Sequence, residues 1–132
     1  MYKELLKIRS RIDTLIKEYE ILGYEREFKK VGEIYGEKGE YALYLAPKET
    51  EKKLGWDDAM DYCKSLGGEL PTIGELQYLY DNCKEEFQYT RYWSSSQDSA
   101  TIPWRMYFSA GSRYSLVKLY LHRVRAVRRV SL

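Results

Sequence analysis

The chain holds a single histidine, His122, and two cysteines, Cys63 and Cys83. Nucleophilic or general-base catalysis needs a second group to activate or orient the first. His122 has no such neighbour in the sequence, because no cysteine follows Cys83 and no carboxylate follows Asp98. It reads as a surface side chain beside Leu121, and no catalysis is expected. The spacing of Cys63 and Cys83 fits no metal or redox motif. They read as small apolar groups on facing helices, free or bridged. Gln97 and Asp98 set one carboxylate beside one amide, whereas a hard cation takes about six oxygens. No metal and no cofactor is expected.

What the same region holds is contact chemistry. Tyr107, Tyr114 and Tyr120 offer large rigid area, Arg105 and Arg113 offer directional donors, and Ile102, Leu116, Leu119 and Leu121 add apolar surface, a composition like that of a paratope. Most of the 14 tyrosines must nevertheless be structural. The elements that carry these side chains can be read from periodicity. From Pro103 to Ser109 residues alternate, with Trp104, Met106 and Phe108 facing the core and Arg105 and Tyr107 facing away, as in a half-buried strand. Leu119 and Leu121 share a face by the same alternation, and that face is open to either burial or exposure.

The rest of the chain reads as a mount. Met1, Leu5, Ile8, Ile12, Leu15, Tyr19 and Leu22 follow a 4-3 spacing, a helical seam that suits a coiled coil or, widened by Leu6 and Ile16, packing on the chain's own domain. Gly23 reads as its stop. Val31 to Ala46 reads as two strands about a turn at Glu37 to Gly39, ended by Pro47. Asp57 reads as the cap of a helix that buries Ala59, Cys63 and Leu66 and ends at Gly67 and Gly68. Thr72 and Glu75 form a capping box for a second helix with Leu76, Leu79, Tyr80 and Cys83 inside. The strand-like run RVRAVRRV closes the sequence.

Charge is segregated. Residues 1–54 carry 12 positive and 11 negative side chains, 55–90 carry 2 and 8, and 91–132 carry 8 and 1. The basic end could suit nucleic acid; pairing of Arg123, Arg125, Arg128 and Arg129 with the acidic middle is the favoured reading. Nucleic acid is therefore not an expected partner. Asn occurs once, at Asn82, while Glu, Lys, Arg and Tyr are abundant, a balance associated with hyperthermophile proteins. No apolar run approaches the roughly 18 residues of a membrane span, and MYKELLKIRS lacks the apolar core of a secretion signal.

The words YWSSSQ, PWRMYF before a glycine, the lone Lys118 and RVRAVR, with GWDDAMDYCKSLGGELPTIGEL upstream, resemble C-type-lectin-like domains related to formylglycine-generating enzyme. More narrowly, they are similar to the variable proteins of diversity-generating retroelements, in which adenine-directed mutation replaces scattered codons. A randomised AAC or AAT codon can never yield Lys, Glu, Gln, Met or Trp. Those types fill 35 of 132 positions, yet Asp98 to His122 contains only Trp104, Met106 and Lys118. The oxidase members of the wider family use a cysteine pair near the last strand, and RVRAVR has Ala126 there.

The resemblance implies an α+β fold: an N-terminal helix over 1–23, then a C-type-lectin-like domain over 31–132 with a variable region at about 93–128. It implies an early strand, Tyr41 to Leu45, paired with Val124 to Val130. It also implies a ligand-contacting set of Asp98, Thr101, Ile102, Arg105, Tyr107, Arg113, Tyr114, Ser115, Leu116, Leu119, Tyr120, Leu121 and His122. Trp93, Trp104, Met106, Phe108, Gly111 and Lys118 would be the fixed frame. The expected partner is a macromolecule, a protein, and the chain itself would be displayed on a virion or cell surface through another component. Self-association through the N-terminal helix is the second expected contact, and a fixed assembly module is the alternative reading.

Overall fold

A computed structural model of the chain describes residues 2–36, 39–99, 101–115 and 118–132, and the side chains of all of these but 16–26. Met1, two residues of the expected turn at Glu37 to Gly39, and Leu116 lie outside the described residues, as do the side chains of Ile16, Tyr19 and Leu22. A helix, α1 (Tyr2–Glu27), leads into strands β1 (Lys29–Gly36) and β2 (Gly39–Leu45). A 3-10 turn at Lys48–Thr50 precedes β3 (Lys52–Leu54), α2 (Trp56–Ser65) and α3 (Ile73–Cys83). After a second 3-10 turn at Lys84–Glu86 come β4 (Arg91–Ser99), β5 (Ile102–Tyr107), β6 (Ser112–Ser115), β7 (His122–Val124) and β8 (Val127–Ser131). The architecture is α+β.

The strands form two sheets, ordered β1-β2-β8 and β3-β7-β4-β5-β6. All pairings are antiparallel except β4 with β7. The sequence run RVRAVRRV, expected as one strand, divides at Arg125 and Ala126 and serves both sheets. The cause is Arg125. Its side chain is buried at the corner, where Nε donates to the Ala46 carbonyl at 2.6 Å and Nη1 donates to Glu51 at 2.9 Å and to the Glu86 carbonyl at 2.8 Å. A guanidinium turned inward onto a carboxylate and two carbonyls holds the chain at this change of direction. Beyond the corner, β8 pairs with β2 from Leu45↔Val127 to Tyr41↔Ser131, the closure expected of the early strand.

Two apolar clusters fill the interior. In one, Ala59, Cys63 and Leu66 of the α2 region meet Phe28, Trp93, Val124 and Ala126. In the other, Leu76, Leu79 and Cys83 of α3 meet Leu43, Leu45, Tyr92, Met106, Phe108 and Val127. Each large side chain so enclosed stabilises the fold by about 1.5–3 kcal/mol. The cysteines are free and lie in different clusters. Gly68 is required where the helix exit meets β8, since a Cβ there would stand 2.6 Å from the Val127 carbonyl oxygen.

Two expected boundaries move. The N-terminal helix runs through Gly23 to Glu27, because one interior glycine costs only about 1 kcal/mol relative to alanine and good helix formers follow it. Gly55, not Asp57, occupies the cap of α2, with no side-chain hydrogen bond. Asp57 falls in the first turn instead, where its charge still faces the positive helix end. The capping box is as expected: Glu75 N–H donates to Thr72 Oγ1 at 3.1 Å and Thr72 N–H to Glu75 Oε1 at 2.8 Å.

Candidate binding face

On the large sheet, register places Trp93 opposite Arg105 and Arg105 opposite Tyr114, while Arg91 lies opposite Tyr107 and Tyr107 opposite Ser112. Strand alternation puts these six side chains on one face and sends Tyr92, Met106 and Phe108 to the other. Met106 and Phe108 are fully enclosed against α3. Trp104 was expected beside them, and it is only half-buried. It lies one step further along β5, past the cluster that Leu76 and Leu79 cover.

The larger correction concerns Arg105 and His122, both expected at the surface. Each is only 9% exposed. The antiparallel partner of β7 is β3, so His122 sits opposite Leu54 inside the sheet, and its ring lies 4.5 Å from that of Trp93. Arg105 Nη1 donates to His122 Nε2 at 2.5 Å. A guanidinium can only donate, so Nε2 is the unprotonated nitrogen. Burial, then the charges of Arg105 and Arg91, push the imidazole down to about 4, so it is neutral near pH 7.

Above this pair stand two rings. The Arg105 Cζ lies 5.8 Å from the Tyr114 centroid and 5.9 Å from that of Tyr120, and Tyr120 stacks over His122 at 6.2 Å with 10° between planes. Such cation–π contacts contribute about 0.5–2 kcal/mol each, against several kcal/mol for withdrawing an ion from water. The Arg105 Nε is buried and has no hydrogen-bond partner among the described residues. Among the described residues no carboxylate pairs with this guanidinium. Burial, then the neighbouring Arg91, lower its pKa from the usual arginine value.

Around the pair the surface is open. Leu119 is 88% exposed, Leu121 65%, Tyr120 51% and Tyr114 45%; Arg113, Thr101 and Asp98 are exposed as well, and Ile102, Tyr107 and Ser115 are half-buried. Ser115 Oγ donates to Asp98 at 3.0 Å, joining β6 to the end of β4. Arg91, which sequence reasoning passed over, lies with its Cζ 4.8 Å from the Tyr107 centroid. Its parity with Trp93 along β4 was the available signal.

The frame beneath is specific. Gly111 takes φ 69°, and a Cβ there would come within 2.6 Å of the Tyr80 ring. Lys118 stands 4.5 Å over the Trp56 ring and 3.4 Å from Asp57 Oδ1, which ties the loop before β7 to α2. Of the last-run arginines, Arg129 reaches Glu69 and Glu75 and Arg125 reaches Glu86 of the acidic middle as expected, while Arg123 and Arg125 also reach Glu51, which precedes that block.

Among the described residues the chemistry of the face is that of contacts. Its histidine is neutral with an arginine for a partner, and burial pushes the Cys63 thiol up to about 12 and the Cys83 thiol up to about 11. Among the described residues no group of His, Cys, Asp or Glu converges to hold a metal, and no helix is long and apolar enough to cross a membrane. A cleft of about 420 Å³ lies elsewhere, between Lys29, Pro47, Cys83 and Arg125. Compared with models of known protein families and with curated proteins, the sequence matches none.

Proposed function

We propose that this chain is a C-type-lectin-like binding protein that presents a diversified surface to a macromolecular ligand and performs no catalysis. The observation that carries the reading is a division along one segment that holds for most of the expected residues, Arg105 and His122 being buried and Trp104 half-buried instead. Trp93, Met106 and Phe108, expected to be fixed, are 0%, 0% and 1% exposed, whereas Tyr114, Leu119, Tyr120 and Leu121, expected to vary, are 45–88% exposed. Side chains of the second kind can change at little cost, because exposed substitutions usually fall within about 0.5 kcal/mol. Apolar and aromatic groups left together in the open mark a contact surface. The pairing of β2 with β8, which brings the ends of the domain together, agrees with the lectin-like reading.

The test is genetic. DNA downstream of the gene should contain a near-repeat of the codons for Trp93 to Arg128, differing only where the repeat has adenine, with a reverse-transcriptase frame nearby. Its absence would leave a fixed binding or assembly module.

A second contact is favoured by α1. Leu5, Ile8, Ile12 and Leu15 are 60%, 55%, 49% and 53% exposed, so this part of the seam is not covered by the chain itself. Its 4-3 spacing suits a second copy of the same helix. Self-association there is compatible with display, since avidity raises the affinity of a multivalent binder.

A further inference from the structure

We propose that Arg105 anchors the face to its ligand by receiving a carboxylate of that ligand. The inference rests on the binding reading above and names the chemistry at its centre.

Arg123, Arg125 and Arg129 are also drawn inward, and each meets a carboxylate, Arg123 reaching Glu51 even though its Nε, like that of Arg105, is buried without a partner among the described residues. Arg125 meets Glu51 and Glu86, together with the carbonyls of Ala46 and Glu86. Arg129 meets Glu75 through two bonds of 2.7 Å and also reaches Glu69. Arg105, 9% exposed, differs in meeting no carboxylate among the described residues: its neighbours are a neutral imidazole and two tyrosine rings, and its Nε is unpartnered. No acidic residue follows Asp98 in the sequence, and Asp98 is engaged by Ser115. Arg91, close enough to disturb the guanidinium, adds positive charge. The missing element is a negative group, and the ligand is the place from which it can come.

A carboxylate fits better than other anions because its two oxygens match the fork of adjacent guanidinium N–H groups. On a protein ligand it belongs to an Asp or Glu side chain or to the chain end. Tyr114 and Tyr120 flank the guanidinium, are about half exposed, and ride on an edge strand and on the loop before β7. An incoming group reaches Arg105 by displacing them, and they then close on its apolar stem. A buried charge partnered only on binding concentrates energy at the centre of an interface, where anchors are found.

His122 is the only histidine and touches Arg105, so its ring signals in NMR report on this site alone. The groups facing it are Arg105 of β5, Arg91 and Trp93 of β4, Tyr120 of the preceding loop and Leu54 of β3. The full chain is titrated at constant ionic strength with N-acetylglycine, with its uncharged amide, and with inorganic phosphate. Expected are a saturable shift of the His122 ring signals with N-acetylglycine, a rise in the imidazole's titration midpoint as Arg105 is neutralised, and no response to the amide. Arg105→Gln should abolish the response and Lys64→Gln, an exposed change on α2 away from the face, should leave it. A response to phosphate but not to N-acetylglycine, no saturable response in the unaltered chain, or a response lost in Lys64→Gln would each overturn the assignment. The unaltered chain decides even if Arg105→Gln does not fold. A genomic repeat with no N-acetylglycine response would refute the anchor and spare the display reading; a response with no repeat would do the reverse.

Discussion

Arg129 on β8 grips Glu75 on α3 through two hydrogen bonds of 2.7 Å, from Nε to Oε2 and from Nη2 to Oε1. Glu75 also accepts from Tyr41 at 2.7 Å and closes the capping box with Thr72. One carboxylate thus joins a helix start, the second strand and the last strand. Burial pushes its pKa up, but the bonds from Arg129, the Thr72 backbone and Tyr41 outweigh burial and hold it below the ordinary value. Glu75→Ala should destabilise the chain by about 3–5 kcal/mol, since it strands a guanidinium whose partner is buried. Denaturant unfolding monitored by circular dichroism would measure it, and a loss under 1 kcal/mol would contradict the linkage.

Stability should fall with acidification in two stages. His122 has a folded-state value of about 4 against an ordinary 6.5. The unfolded chain therefore takes up a proton that the folded chain refuses, so the stability contribution is complete above about 6.5 and is lost as pH falls through about 4. Glu75, also depressed, adds a further loss as pH falls below its ordinary 4.5. Melting temperatures between pH 8 and pH 4 should decline, and His122→Gln should flatten the part of the curve between 6.5 and 4.5. An unchanged slope would place the imidazole in solvent.

Substitutions in the enclosed frame and in the exposed loop before β7 should separate. Met106→Ala should cost about 2–5 kcal/mol and Trp93→Ala about 3–5 kcal/mol, as both are fully enclosed. Leu119→Ala and Leu121→Ala should stay within about 0.5 kcal/mol. Arg105 belongs to neither group, because its removal unburdens a buried charge while emptying space beneath Tyr114 and Tyr120. Comparable losses from Met106→Ala and Leu119→Ala would end the division into frame and display.

Gly111→Ala should destabilise by about 1–3 kcal/mol, combining a left-handed backbone with a collision against Tyr80. Gly36→Ala is the control, having no atom within 4 Å of the new carbon. Thermal melts of both variants would show whether the turn is held by geometry.

Ile8→Asp with Ile12→Asp should shift sedimentation from an oligomer to a monomer while leaving the melting of the domain nearly unchanged. A monomeric unaltered chain at high concentration would remove α1 as an assembly element.

Much of the frame was legible in the sequence because it depends on local physics. The capping box at Thr72 and Glu75, the inward faces of α2 and α3, the α+β class and the pairing of an early strand with the last follow from spacing or from a resemblance carried by short phrases. Met106 and Phe108 announced their burial by alternation. What only the tertiary structure decided is where the last basic run breaks and what lies under the exposed rings. Arg125 turns the chain because Glu51 and the carbonyls of Ala46 and Glu86, distant in sequence, converge on it. His122 and Arg105 are enclosed because β7 inserts between β3 and β4. Alternation tells which face a side chain takes; whether that face meets water depends on neighbours brought from elsewhere in the chain, and period-2 patterning carries no information about them.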